Sequence, residues 1–456
     1  MPEESLSEQL ARHYGALKLG HVPESVVDAA KLHVLDSLGC LLAGSHLEAG
    51  KLAYDLAIVT SGGAGSASTL FGSHARVSYL DAVQAMSVAA HCGEMDDIHS
   101  GAGTCIGGMV IPALLAMAEK FGGSGRRFLE AVIAGYEMTA RIGLAINAPS
   151  LFARGWWPST VCGVLGVAAA GAKFLAWDDG KIANALGVAS LHAGGMITGG
   201  HEGATARHFV FGRAAQNGVI SLLATEQGFT GPKKAFEDPR GFCLTLCSEP
   251  KWEFLHEHAN YFLPEVAFKP YPCARQLHAA VEALLRLIQQ HAFPAAAIQE
   301  IELSLPTAVA SLFNRPGISA NRAALLGSGQ YVMAVTAVGG KLDLDSFEDQ
   351  FLQNPDVQNL AAKVKVKGEP KLDRYFPKNW PGRVDVRLPE GKNWTDEVVI
   401  PKGEMGNPMS QEEVQEKFLS LAVPIIGDVT AQLVVREVHA LESSESLEPL
   451  LSCVRT

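Results

Sequence analysis

Apolar residues recur at helical spacing throughout the first half of the chain. Between Pro23 and Ala43 they form one stripe, with Pro23 in the first turn and Gly44 after the last, which is the pattern of an amphipathic helix packed on a core. Abundant alanine and glycine let such helices approach each other closely. Similar patterns occupy residues 77–91, 110–121, 126–146, 158–175, 179–198 and 205–227. The sequence therefore predicts an all-α domain over residues 1–268.

The pattern changes after Pro264. Residues 301–305 and 384–388 alternate between apolar and polar side chains, as half-buried strands do, and residues 395–400 are suited to pair with the second of these. Helical patterns cover 274–291, 320–338 and 346–364. A smaller α+β domain is predicted over residues 269–403. A capping box at Ser410 and Glu413 then opens a last helix, so residues 404–456 should return to the helical domain.

Composition narrows the class of protein. Of the 456 residues, 48% are hydrophobic and 19% charged, which indicates a globular chain, and the net charge of -11 argues against nucleic acid or an anionic membrane as partner. Eight scattered cysteines without CxxC pairs, and an acidic start without an apolar segment, predict a cytoplasmic protein. Residues 155–172 carry no charge, but their glycines and Pro158 favour a buried helix over a membrane span.

One stretch, from Ala89 to Pro112, combines several side chains that can take part in proton transfer. Its carboxylates Glu94, Asp96 and Asp97 and the imidazole of His99 lie between a helical run and several glycines. Such a segment is typical of an active-site loop, because glycines permit sharp turns beside reactive side chains. The alternative is a solvated acidic helix terminus, since an Asp-Asp pair is common at turns.

Familiar cofactor motifs do not occur in the sequence. The glycines at 122–125 lack the Lys-Ser/Thr of a phosphate loop, no Cys/His spacing is of the zinc type, and there is no Gly-x-Ser-x-Gly elbow. We therefore expect neither a metal nor an organic cofactor.

The remaining candidates suit a carboxylate substrate. Arg207 and Lys269 could bind a carboxylate, an acid or imidazole of the Ala89–Pro112 stretch could abstract a neighbouring proton, and Tyr331 could stabilise the developing negative charge. Each has a plain alternative: Lys269 as a solvated loop lysine, Arg207 as a surface charge and Tyr331 as a core aromatic.

Several segments in order resemble the MmgE/PrpD family. They include HCGEMDDIHS, GYEMTARIG, ARHFVFGRAAQNG, FKPYPCARQLH and GEMGNPMSQEEVQEKF. The family includes 2-methylcitrate dehydratase, cis-aconitate decarboxylase and iminodisuccinate epimerase. The resemblance implies a mainly α fold with a large helical domain and a smaller α+β lid domain, a metal-free and usually dimeric enzyme, and a site between the two domains.

Position by position, the resemblance keeps some groups and loses others. Glu94 stands where the family commonly has aspartate, and Arg207 where it has lysine, while Lys269 and Tyr331 match. Two family histidines fall on Cys105 and on Trp157. The substrate or the reaction is therefore expected to differ from the named members.

These arguments lead to a set of predicted site residues. The predicted catalytic residues are Glu94, Asp96, Asp97, His99, Cys105, Lys269 and Tyr331, and the predicted substrate-binding residues are Trp157, His201, Arg207 and His208. The leading hypothesis is a cofactor-independent lyase, a dehydratase or decarboxylase of a di- or tricarboxylate such as an alkylcitrate or cis-aconitate, working as a homodimer. An isomerase or epimerase using the same proton abstraction, and a non-catalytic family member, are the alternatives.

Overall fold

Helices make up most of the first part of the chain. The computed structural model describes residues 4–62, 68–319 and 321–455, apart from the side chains at 199 and 201. The helices before residue 260 are α1 (Leu6–Ala16), α2 (Glu24–Gly44), α3 (Glu48–Thr60), α4 (Tyr79–Cys92), α5 (Gly107–Phe121), α6 (Gly125–Ala145), α7 (Ala148–Ala153), α8 (Pro158–Phe174), α9 (Asp179–Ser190), α10 (Thr198–Glu202), α11 (Ala206–Glu226), α12 (Phe242–Leu246) and α13 (Glu253–His256). The all-α prediction did not include the two-residue antiparallel strand pair in this described part, β1 (Ser68–Thr69) with β2 (Arg76–Val77).

Local signals in the sequence account for several of these helices. Pro23 precedes the first residue of α2, where a missing N–H costs nothing. Glu137 and Arg141 form the expected i,i+4 pair on α6, with Nε 3.1 Å from Oε2. The charge-free residues 155–172 lie largely in α8, which is buried along its whole length. In the described part of the chain, no helix is both long and apolar enough to cross a membrane.

A four-stranded sheet organises the second part of the chain. The strands are β3 (Glu300–Leu305), β4 (Val364–Gly368), β5 (Gly382–Arg387) and β6 (Asn393–Val398). Their order is β4-β3-β5-β6, with β3 and β4 parallel and the other pairs antiparallel. The helices here are α14 (His278–His291), α15 (Thr307–Phe313), α16 (Arg322–Leu325), α17 (Gly329–Gly339), α18 (Asp349–Leu352) and α19 (Pro355–Ala361). The mainly α fold with a smaller α+β part is confirmed.

The chain ends in three more helices. They are α20 (Gln411–Ile426), α21 (Asp428–His439) and α22 (Glu448–Val454), and α20 packs against α2. The predicted capping box is present: Ser410 Oγ accepts from the Glu413 N–H while the Glu413 carboxylate accepts from the Ser410 N–H.

Two large apolar cores lie in different parts of the sequence. One takes its residues from 6–266 and again from 418–454, and the other from 273–398. The C-terminal helices therefore complete the core of the first helices. The exact boundaries after residues 268 and 403 stay a prediction.

Candidate active site

The loop that follows α4 is shaped by backbone hydrogen bonds. Ile98 and Ala267 exchange two of them, at 3.0 and 2.8 Å, so the loop lies beside the segment that carries Lys269. His99 and Thr104 exchange another pair, at 2.9 and 3.4 Å, which turns the chain back before Cys105. Residues distant in sequence are thereby held together at one buried point.

Lys269 lies at the centre of the buried group of side chains beside this loop. Its ammonium is 3.3 Å from Glu94 Oε2, 3.4 Å from Asp96 Oδ1 and 3.8 Å from Cys105 Sγ. Arg207, near the start of α11, donates through Nη2 to Glu94 Oε1. We call this group and a neighbouring histidine the Lys269 cluster; its members are His91, Glu94, Asp96, Cys105, Arg207 and Lys269. The structure thus brings together five of the predicted site residues.

His91 is a member of the cluster that the sequence reasoning missed. Its Nδ1 is 2.8 Å from Asp96 Oδ2, its Nε2 is 3.4 Å from Arg207 Nη2, and its ring stacks on Phe211 with centroids 4.0 Å apart. The available signal was its place in the last turn of α4, three residues before Glu94. With Asp96 at Nδ1, the nitrogen that can take or give a proton is Nε2, which faces the Arg207 guanidinium.

Oppositely charged neighbours keep Lys269 and Glu94 ionised although both side chains are buried. Burial disfavours the charge on Lys269, but the carboxylates of Asp96 and Glu94 outweigh it and hold its pKa well above the ordinary value. Burial likewise opposes the charge on Glu94, yet Arg207 and Lys269 hold that pKa well below the ordinary value. Burial, reinforced by Asp96, raises the pKa of the Cys105 thiol well above its ordinary value. Cys105 is therefore held as a neutral thiol rather than a thiolate.

Asp97 points away from the cluster and supports it. Its Oδ2 accepts from Tyr136 at 2.6 Å and lies 2.8 Å from His33 Nδ1, while its Oδ1 accepts from the N–H of Gly107 at 2.8 Å, at the start of α5. Burial opposes its charge, but these contacts lower its pKa. A Cβ at Gly107 would lie 2.8 Å from Asp97 Oδ2, so glycine is required for this close approach. The catalytic role predicted for Asp97 is untested, and its contacts are those of a positioning residue.

A buried ion pair fixes the loop from the other side. Lys417 of α20 donates to the Met95 carbonyl at 2.6 Å and lies 2.5 Å from Asp36 Oδ1 on α2. Met95 stands between Glu94 and Asp96, so the C-terminal helix holds the backbone that carries both carboxylates. This pair was not anticipated from the sequence, because nothing local relates residue 36 to residue 417.

Two predicted substrate-binding residues border the cluster. The ring centroids of Trp157 and His91 are 5.3 Å apart. The Trp157 centroid is 5.4 Å from the guanidinium carbon of Arg207. His208 is buried with its ring 5.5 Å from that of His91, and burial, with the charge of Arg207, holds its pKa well below the ordinary value. A neutral His208 can accept or donate one hydrogen bond. His201 lies in α10, and its side chain is outside the described part of the structure.

Two predicted catalytic residues lie elsewhere. Nδ1 of His99 accepts from the Ala102 N–H at 3.1 Å, its Nε2 is 3.8 Å from Glu265, and burial lowers its pKa to about 4. The Tyr331 hydroxyl donates to the Ser346 carbonyl at 2.7 Å within the second core. Neither side chain contacts a cluster member in the described contacts, and their catalytic roles stay predictions.

Three cluster members have the chemistry of metal ligands. His91, Asp96 and Cys105 each place one ligand atom within 4.8 Å of the others. The ammonium of Lys269, however, already contacts Asp96 and Cys105. A second cation there would meet strong repulsion at low dielectric. The metal-free site stays a prediction, and repulsion by the Lys269 ammonium is the physical reason that supports it.

Fold and site together define a class: a mainly helical protein with an α+β part and a buried cluster of acids, cations and imidazole. Comparison with known proteins identifies the family. The MmgE/PrpD N-terminal domain model matches residues 8–255 and the MmgE/PrpD C-terminal domain model matches residues 271–442. The chain belongs to the MmgE/PrpD family.

Several relatives are similar over nearly their whole length. A cis-aconitate decarboxylase-like protein of Aspergillus oryzae is 28% identical, over 99% of this chain and 98% of its own. The cis-aconitate decarboxylase of Homo sapiens is also 28% identical, over 99% of this chain and 95% of its own. That of Aspergillus terreus is 26% identical, over 98% and 96%.

Proposed function

We propose that the protein is a lyase that removes carbon dioxide or water from a small di- or tricarboxylate without a metal or organic cofactor. The carrying observation is the Lys269 cluster, in which two cations, two carboxylates, an imidazole and a protonated thiol meet in a buried site. The names of the relatives make cis-aconitate the first substrate to test. The protein is further proposed to act as a cytoplasmic homodimer.

The proposed chemistry assigns each group a task. Arg207 and Lys269 bind substrate carboxylates, because charge-assisted hydrogen bonds at low dielectric are strong. In dehydration, His91, oriented by Asp96, takes the proton next to a carboxylate, and the electron pair of that C–H bond forms the C=C bond as the neighbouring C–O bond breaks. Protonated His91 then gives its proton to the departing hydroxyl, which leaves as water. In decarboxylation, the C–C bond electrons remain on the substrate as CO₂ leaves, Lys269 stabilises the resulting charge, and protonated His91 supplies the proton.

A substrate panel tests the proposal. The purified full-length protein is incubated with cis-aconitate, 2-methylcitrate and longer alkylcitrates, and products are followed by mass spectrometry and carbon NMR. We expect loss of carbon dioxide or water from at least one substrate. Lys269→Met should abolish this turnover, whereas Lys341→Met, at a side chain that is 62% exposed, should not change it. No turnover across the panel contradicts the proposal.

Running the panel in heavy water separates the main alternative. An isomerase or epimerase would exchange a substrate hydrogen for deuterium while the carbon skeleton and its oxygens stay unchanged. Deuterium gain without loss of carbon dioxide or water would replace the lyase proposal with that reaction.

A further inference from the structure

Glu94 occupies a place that suits a substrate carboxylate. One of its oxygens accepts from Arg207 Nη2 and the other lies 3.3 Å from Lys269 Nζ. These are the two cations of the cluster. An internal carboxylate thus binds both groups that the proposed function assigns to an external one.

Arg207 has unused binding capacity. Its Nε is buried and has no hydrogen-bond partner among the described residues. A guanidinium binds a carboxylate best through two parallel N–H groups, and Glu94 uses only Nη2. Arg207 is also the most accessible charged member of the cluster, at 13% side-chain exposure against 8% for Glu94 and 1% for Lys269. An incoming carboxylate would therefore reach Arg207 first.

The backbone of Glu94 is held in a conformation that glutamate rarely adopts. Its φ is 54°, in the left-handed region, directly after the end of α4. Non-glycine residues in this region store strain that surrounding contacts must compensate. The ion pair with Arg207 is one such contact, so loss of that partner would let the segment relax.

We infer that Glu94 is an internal competitor that fills the carboxylate subsite of Arg207 and is displaced when a substrate carboxylate binds there. The inference rests on the proposed function only in taking the ligand to be a di- or tricarboxylate. Each substrate molecule must displace Glu94, so the apparent dissociation constant equals the intrinsic one divided by the fraction of time the subsite is open. Glu94 then sets affinity and selects ligands whose carboxylate can use both Nε and Nη2.

Shortening Glu94 tests the inference separately from charge. Calorimetric titration of the full chain with tricarballylate, an unreactive tricarboxylate, gives Kd for the wild type, Glu94→Asp and Glu94→Gln. Aspartate keeps the charge but is too short to hold Arg207 as Glu94 does. We expect both variants to bind roughly 3- to 10-fold more tightly. Arg207→Gln should weaken binding at least about tenfold, and Glu265→Asp, a matched shortening outside the cluster, should leave Kd unchanged.

Other patterns overturn the inference. If only Glu94→Gln binds more tightly, Glu94 merely repels anions; if both variants bind more weakly, or no protein binds, Glu94 is not a competitor. A crystal structure of the wild type with tricarballylate gives a result that does not depend on whether variants fold. We expect a tricarballylate carboxylate bound to Arg207, with the Glu94 side chain rotated away. Glu94 still bound to Arg207 in that complex would contradict the inference. Because tricarballylate does not react, failure of the substrate panel leaves this result standing.

Discussion

Nδ1 of His91 lies 2.8 Å from Oδ2 of Asp96, in a pair that is buried on all sides. A carboxylate in this position accepts the Nδ1 hydrogen and thereby leaves the lone pair on Nε2. Nε2 in turn lies 3.4 Å from Arg207, where the proposed substrate carboxylate binds. The pair is therefore arranged as an oriented base beside the binding group.

Replacing Asp96 should remove the carboxylate that orients His91 as the proposed base. In Asp96→Asn, an amide can hold His91 in the wrong tautomer and no longer stabilises its protonated form, so kcat should fall by about 10²–10⁴. Steady-state kinetics on the substrate identified by the panel measures this, with KM changing much less. Asp97→Asn is the matched control: it should lower the melting temperature but reduce kcat less than about tenfold. A kcat for Asp96→Asn near that of the wild type would remove His91 from the reaction.

Chelators should not abolish the proposed turnover. Lys269 lies among the three side chains that could otherwise bind a metal, and its pKa is held well above the ordinary value, so its positive charge persists at neutral pH. We expect unchanged kcat after prolonged dialysis against EDTA, and less than stoichiometric metal by elemental analysis. Loss of activity that zinc or iron restores would show that the cluster binds an ion.

Stability should depend on the protonation of Glu137. Burial raises its pKa to about 7, although Arg141 opposes the shift. The pKa of Glu137 in the folded protein exceeds its pKa of about 4.3 in the unfolded chain. The protonated Glu137 therefore contributes its full stabilisation of the fold below about pH 4.3, and this contribution is lost as the pH rises through 7. At about 1.4 kcal/mol per unit of difference between the two pKa values, the full loss is about 3.7 kcal/mol in the free energy of unfolding.

Calorimetric melting from pH 5 to 8 checks this dependence. The melting temperature of the wild type should fall across the range, whereas that of Glu137→Gln should change less. Glu226→Gln, at a side chain that is 51% exposed, should follow the wild type. Parallel curves for Glu137→Gln and the wild type would contradict the assignment.

The Asp36–Lys417 pair should be coupled in stability and in activity. Lys417→Met leaves Asp36 buried without its partner and frees the Met95 carbonyl, so we expect a loss of about 3–5 kcal/mol in unfolding free energy and a lower kcat. Asp36→Asn combined with Lys417→Met should recover part of the stability but not the kcat, because the Met95 contact is still absent. Denaturant unfolding and kinetics of the four proteins form a double-mutant cycle. Additive effects would argue against a coupled pair.

Periodicity predicted most of the elements. α2, α5, α6, α8 and α11 lie within a few residues of their predicted spans, and β5 and β6 form the expected antiparallel pair. The strand β4 was not predicted: the sequence analysis assigns a helix to residues 346–364 and no element to the residues that follow, which include Lys365 and Lys367. These lysines lie on an edge strand, where charged side chains are common.

The site was only partly predictable. Acids and cations were found through their unusual local grouping or through family resemblance, and Lys269, Arg207, Glu94 and Asp96 do converge. His91 was overlooked because a histidine near a helix end is ordinary until its partner is known. Contacts such as that of Lys417 with Met95 depend on how helices pack, and helix packing has no signature in one sequence.

The span of that last contact bears on how the protein is made. Lys417 and Met95 are 322 residues apart, and the loop with both cluster carboxylates is complete early in synthesis. On the ribosome, Asp36 and the Met95 carbonyl remain without their ammonium partner until residue 417 has emerged. A chain truncated before residue 417 therefore lacks the contact that holds the backbone between Glu94 and Asp96, and this loop reaches its final support only after the α+β part has been made.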